Sequence, residues 1–137
     1  MKQKIFLLVD ALQFYVSVER SFQVALRNQP TVVVDNNDGC LVALSQEARA
    51  LGLRRGQPLF QCEKIIQKHG VHVFSSNYAL YDIMSKRLMA LLAEFSPRLE
   101  GYSIDEAFGE LTDQGIEDLP AFGHTIRSRI SQWLGIL

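Results

Sequence analysis

Gly101-Tyr-Ser-Ile-Asp-Glu-Ala-Phe108 places two adjacent carboxylates, Asp105 and Glu106, inside a run that otherwise reads as strand. Its partner is Ile5-Phe-Leu-Leu-Val-Asp10, an apolar run without alternation that stops on an acid. A run of that kind is expected of a central strand covered on both faces. If the two strands are neighbours, Asp10, Asp105 and Glu106 come within a few ångströms of one another, and their repulsion is tolerated only where cations offset it. The pattern points to a magnesium site. Two plainer readings stand beside it: Asp105-Glu106 as the tip of a hairpin and Asp10 as a helix cap, both places that Asp favours.

At 137 residues and 47% hydrophobic content the chain suits one domain, or one compact domain with a small insertion, and can fill a core. A net charge of −1 excludes a fold that grips nucleic acid through an overall basic balance, so any contact with a polymer is local. Cys40 and Cys62 have neither disulfide-scaffold nor metal-motif spacing, and His69, His72 and His124 lack zinc spacing. No apolar run approaches membrane-spanning length and no signal peptide opens the chain, so a cytoplasmic protein without a membrane partner is expected.

Along the chain, Lys4 to Asp10 reads as the first strand and Phe14 to Leu26 as a helix with Phe14, Val18, Phe22 and Leu26 at helical spacing. Thr31 to Asp35 and Cys40 to Leu44 are strand-like runs joined by Asn36-Asn-Asp-Gly39, whose residues tolerate positive φ in a tight turn. Ser45 suits the cap of a short helix over 46–51, and Gly70 the end of a second over 59–69, before a short extended run from Val71 to Phe74. A long helix follows Asn77, with a broad apolar stripe that ends before Pro97. Arg98 to Asp105 and Ala107 to Thr112 then form an antiparallel pair, and Asp118 to Trp133 a last helix that turns Phe122, Ile126, Ile130 and Trp133 inward. Without the inserted middle segment the order is βαββα. The expected fold is therefore α+β, a ferredoxin-like sheet short of its last strand.

Asp10-Ala-Leu-Gln-Phe-Tyr15, Asn36-Asn-Asp-Gly39, Glu47-Ala-Arg49-Ala-Leu-Gly52, Ser75-Ser-Asn-Tyr-Ala-Leu-Tyr81 and Tyr102-Ser-Ile-Asp-Glu-Ala-Phe108 resemble, in order, the Y-family translesion DNA polymerases, the polymerase V branch above all. The resemblance implies a palm over 1–10 and 77–137 and an inserted fingers subdomain over 11–76. It implies nucleotidyl transfer from a deoxynucleoside triphosphate onto primed template DNA, with two Mg²⁺ ions held by Asp10, Asp105, Glu106 and the backbone carbonyl of Ala11. Tyr15 matches the steric gate that leaves no room for a 2′-hydroxyl, with Phe14 beside it, and Arg49 a cation that meets the triphosphate. Arg54 and Arg55 are weaker candidates for contact with a template backbone, as are Lys64 and Lys68.

The chain also departs from the family. Leu44 stands where the polymerase V type usually has a basic residue, and Gln46 replaces a tyrosine found in other branches. Gly109 takes a place that is usually apolar, which is expected to loosen its strand. Family members continue into a further strand, a triphosphate-binding lysine motif, a thumb and a little finger. Without them the chain is expected to be inactive or weak alone, with an open edge on the Asp10 strand that invites self-association. Two rival functions are a nucleotidyl cyclase, for which the Tyr15 gate has no use, and an inert interaction protein.

Overall fold

The computed structural model describes residues 4–11, 13–101, 103–112 and 114–136. In chain order the elements are β1 (Phe6–Asp10), α1 (Phe14–Phe22), β2 (Thr31–Val34), β3 (Leu41–Leu44), α2 (Gln46–Ala50), α3 (Leu59–His69), β4 (His72–Ser75), α4 (Tyr78–Ala93), β5 (Arg98–Gly101), β6 (Glu106–Glu110) and α5 (Leu119–Leu134). They form two compact units, Met1–Leu12 with Ala79–Leu137, and Gln13–Tyr78.

The first unit has the βαββα order, with three strands arranged β1-β6-β5 and both neighbouring pairs antiparallel. β1 and β5 therefore run parallel on either side of β6, as in a ferredoxin-like split βαβ sheet. Strand side chains alternate between faces, so the register assigns Leu7, Val9, Leu99, Gly101, Ala107 and Gly109 to one face. The helices pack there: Met89 of α4 lies 3.9 Å from where a Gly101 side chain would begin, and Ile126 and Ile130 of α5 line a groove with Leu7 and Val9. Tyr81, Met84, Leu88, Leu91 and Leu92 of α4 are buried at helical spacing.

The other face is uncovered within this unit, which corrects the expectation that β1 is covered on both sides. Phe6 is 52% exposed and Leu8 74%. β1 lies at the sheet edge, and the Phe6 ring stacks on Phe108 at 5.2 Å instead of entering a core. The expected strand through Asp105 stops at Gly101; Tyr102 lies outside the described residues, and Ser103–Asp105 form a bend.

Two further expectations change in this unit. Asp118 caps α5 by accepting the Ala121 N–H, and Gly135 closes it at φ 69°, but Trp133 faces outward at 66% exposure. Its ring lies 5.6 Å from the Arg129 guanidinium, a cation–π contact, and Ile136 is buried just beyond the helix. Gly109 is demanded by packing and does not loosen its strand: a β-carbon there would stand 2.5 Å from Ser96 Oγ and 3.0 Å from Ser96 Cβ. Ser96 is fully buried and donates its hydroxyl to the Glu110 carbonyl at 3.1 Å.

The second unit carries its own sheet, β3-β2-β4, with β2 antiparallel to β3 and parallel to β4. The hairpin turn closes through Asp35 N–H to the Cys40 carbonyl at 2.9 Å, with Gly39 at φ 69°. Val32, Val34, Leu41, Leu44, Ala48, Leu53, Cys62 and Val71 form one apolar cluster. Leu44, which departs from the basic residue usual at that position in the family the motifs resemble, thus stands in the core. Ser45 caps α2 and Gly70 ends α3 at φ 63°. The first helix is shorter than its periodicity suggests: α1 ends at Phe22, which is 62% exposed, and Val24–Leu26 make a single 3₁₀ turn.

Candidate metal centre and nucleotide site

The acids of the first unit meet through strand register. Ala11 N–H donates to the Asp105 carbonyl at 2.9 Å and Leu111 N–H to the Ile5 carbonyl at 2.8 Å. The odd-numbered residues of β1 are therefore its hydrogen-bonded positions toward β6. Asp10, directly opposite Glu106, falls on a non-hydrogen-bonded pair, where Cα atoms approach to about 4.5 Å and side chains stand closest. Both carboxylates point to the uncovered face. Like charges so opposed cost stability unless a cation lies between or beside them.

Asp105 stands next to this pair, in the bend. Its Oδ1 accepts the Ser103 hydroxyl at 2.9 Å, and Ser103 N–H reaches the Glu106 carbonyl at 3.3 Å. The Ser85 hydroxyl donates to the Ile104 carbonyl, tying the bend to α4. Among the described residues no three histidine, cysteine or carboxylate side chains are gathered closely enough to hold a metal ion. The donors nevertheless fit Mg²⁺ in kind: hard carboxylate oxygens at the edge of a buried backbone, with Ala11 itself 6% exposed.

In the second unit Phe14 is buried at 3% exposure, its ring 6.2 Å from that of Tyr15. Tyr15 is half-buried and meets Tyr78 edge to face at 5.8 Å. Arg49 is exposed on α2 and lines a pocket of about 220 Å³ with Leu53, Arg54 and Arg55. Three guanidinium-bearing residues around one concavity suit an anion with several oxygens. Glu47 pairs with Arg20. Sequence reasoning missed that ion pair, and also the bond from Tyr78 hydroxyl to Asp35 Oδ2 at 2.9 Å, which joins residues 43 apart in the chain. Glu47 and Tyr78 each fall in a motif quoted above, Glu47–Gly52 and Ser75–Tyr81, but neither motif carries a signal for its distant partner.

Among the described residues no helix is long and apolar enough to cross a membrane. The model of the impB/mucB/samB family matches residues 9–137. ImpB of Salmonella typhimurium is 48% identical over 134 residues, covering 96% of this chain and 31% of that protein. UmuC of Salmonella typhimurium strain LT2 is 47% identical over 126 residues, covering 91% and 30%. The chain thus spans about a third of the length of these relatives. A Y-family DNA polymerase chimera of Dbh and Dpo4 superposes with a TM-score of 0.83 at 24% identity, over 93% of this chain and 39% of that one. The insertion ternary complex of Dbh DNA polymerase does so with a TM-score of 0.77 at 25% identity, over 94% and 38%.

Proposed function

Because the chain belongs to the impB/mucB/samB family of Y-family DNA polymerases, we propose that it carries the palm (1–10 and 77–137) and fingers (11–76) of an error-prone translesion DNA polymerase. The observation that carries this reading is the narrow opposition of Asp10 and Glu106 on the uncovered face, with Asp105 beside them. That placement spends stability on a concentration of negative charge, and a cation-dependent site recovers it.

In this reading Asp10, Asp105, Glu106 and the Ala11 carbonyl would hold two Mg²⁺ ions, which would supply Lewis acidity to a primer 3′-hydroxyl and positive charge opposite a pyrophosphate. The acids serve as ligands and form no bond to substrate; their contribution is position and charge. Within the fingers, the Tyr15 ring excludes a 2′-hydroxyl by shape, and Phe14 backs it from the interior. Arg49 offers its planar fork to the triphosphate, and Arg54 and Arg55, which share its pocket, add charge for phosphate oxygens. The substrates are a deoxynucleoside triphosphate and primed template DNA, and the compartment is the cytoplasm.

A second role has its own support: the free edge of β1 offers backbone groups for pairing with another copy of the chain. A cyclase has less support, because it accepts the ribose that Tyr15 would reject.

Calorimetric titration of the chain and of Asp105→Ala with dATP and with ATP, each with and without Mg²⁺, tests the reading. Mg²⁺-dependent binding that favours dATP and disappears in the variant is the expected result. Binding that ignores both Mg²⁺ and the substitution overturns it.

A further inference from the structure

The turn Asn36–Gly39 and the segment Ser75–Tyr78 are joined more densely than hairpin closure requires. Asn36 Nδ2 donates to the Ser76 carbonyl at 2.8 Å, and Asn36 N–H to Ser76 Oγ at 3.2 Å. Ser76 N–H donates to the Val34 carbonyl at 2.9 Å. The Asp35 carboxylate accepts from Asn37 N–H on Oδ1 at 2.7 Å and from the Tyr78 hydroxyl on Oδ2 at 2.9 Å. Tyr78, held at its far end, presents its ring at 81° to that of Tyr15, with centroids 5.8 Å apart. Burial does not fix this ring, since Tyr78 is 41% exposed. The Asp35 bond and the Tyr15 contact are two of its restraints.

We propose that Tyr78, anchored through its hydroxyl by Asp35, is a positioning residue that fixes the ring of Tyr15 and so sets how strictly the nucleotide site rejects a 2′-hydroxyl. The inference rests on the reading of Tyr15 as the ribose gate. A gate that works by shape discriminates only as well as its ring is held, and a phenol ring has a broad, soft χ2 well when nothing packs against it. An edge-to-face neighbour supplies that restraint, and a neighbour fixed at both ends supplies it better. Backbone bonding from Asn37, then the Tyr78 hydroxyl, hold the Asp35 carboxyl below its usual range. Burial first, then the Asp35 bond, push the Tyr78 phenol up. At neutral pH the bond is therefore a neutral donor on an ionised acceptor, the stronger kind.

The test is the ratio of dATP to ATP affinity in Mg²⁺, measured on the whole chain for the parent, Tyr15→Ala, Tyr78→Phe, Tyr78→Leu, Asp35→Ala and Asp35→Asn. Folding is checked by circular dichroism, and the Tyr15 ring is followed by ¹⁹F resonance of fluorotyrosine-labelled protein. Tyr78→Leu is expected to lower the ratio by roughly two- to tenfold, the range an aromatic pair sustains. Tyr78→Phe and Asp35→Ala lower it less, and Asp35→Asn, whose amide oxygen still accepts, keeps more of it than Asp35→Ala. The Tyr15 resonance moves in Tyr78→Leu. A merely structural role would weaken both nucleotides alike and leave the ratio alone. If Tyr15→Ala abolishes the preference while folded Tyr78→Leu and Tyr78→Phe keep both ratio and resonance, the proposal is overturned and the gate reading survives. If Tyr15→Ala leaves the ratio unchanged, the gate reading fails, and with it this proposal, whatever the resonance shows.

Discussion

Asp10 and Glu106 face each other across a narrow ladder pair, so either one destabilises the sheet while no cation is present. Glu106→Gln removes the repulsion and keeps the shape. It is expected to raise stability in EDTA by at most ~1 kcal/mol and to abolish any stabilisation by Mg²⁺, both read from urea unfolding. A variant less stable in EDTA than the parent would show that the two carboxylates are not in conflict. Asp35 has the opposite character. Its folded carboxyl lies below the usual range, chiefly through the Asn37 N–H and then the Tyr78 hydroxyl. Its contribution is complete above the unfolded value of about 3.9 and is lost as pH falls through the lower folded value. Asp35→Ala should therefore cost stability at neutral pH and cost progressively less on acidification, as a pH series of thermal melts would record.

Packing between elements decides what a side chain is for. Gly109 lies where β6 passes Ser96, and a β-carbon 2.5 Å from a hydroxyl bonded to the Glu110 carbonyl has nowhere to go. Gly109→Ala should cost about 1–3 kcal/mol of overpacking in denaturant unfolding, and Gly109→Val more. Trp133 is the reverse case. It falls on the apolar stripe of α5 by spacing, yet stands outside at 66% exposure, against the Arg129 guanidinium. Trp133→Ala is expected to cost no more than ~1 kcal/mol, against the 3–5 kcal/mol of a core tryptophan. An unfolding shift of core size would place the ring in an interior after all.

At the scale of the whole molecule, β1 leaves the N–H and C=O groups of Phe6, Leu8 and Asp10 directed away from β6, beside the exposed Phe6 and Leu8 side chains. Edges of this kind pair with other chains. Sedimentation should therefore depend on concentration, and Leu8→Lys should leave a monomer over the same range, since a charge on an edge strand opposes pairing. Much of this organisation was legible in the residues. The acid that ends the first strand, the Asn-Asn-Asp-Gly turn, the Ser45 cap and the βαββα order all follow from backbone preferences and side-chain periods set by near neighbours in the chain. Other features were not. That β1 has one open face, that Leu44 is core, that Trp133 is outside, and that Tyr78 reaches both Asp35 and Tyr15 depend on groups brought together from far apart in sequence. The sequence determined the order of the elements, the tight turn and the strand that ends on Asp10, because those are local or set by side-chain period. Only the tertiary structure decided which faces are covered and which rings are held, because burial and contact belong to what packs against a residue and not to the residue itself.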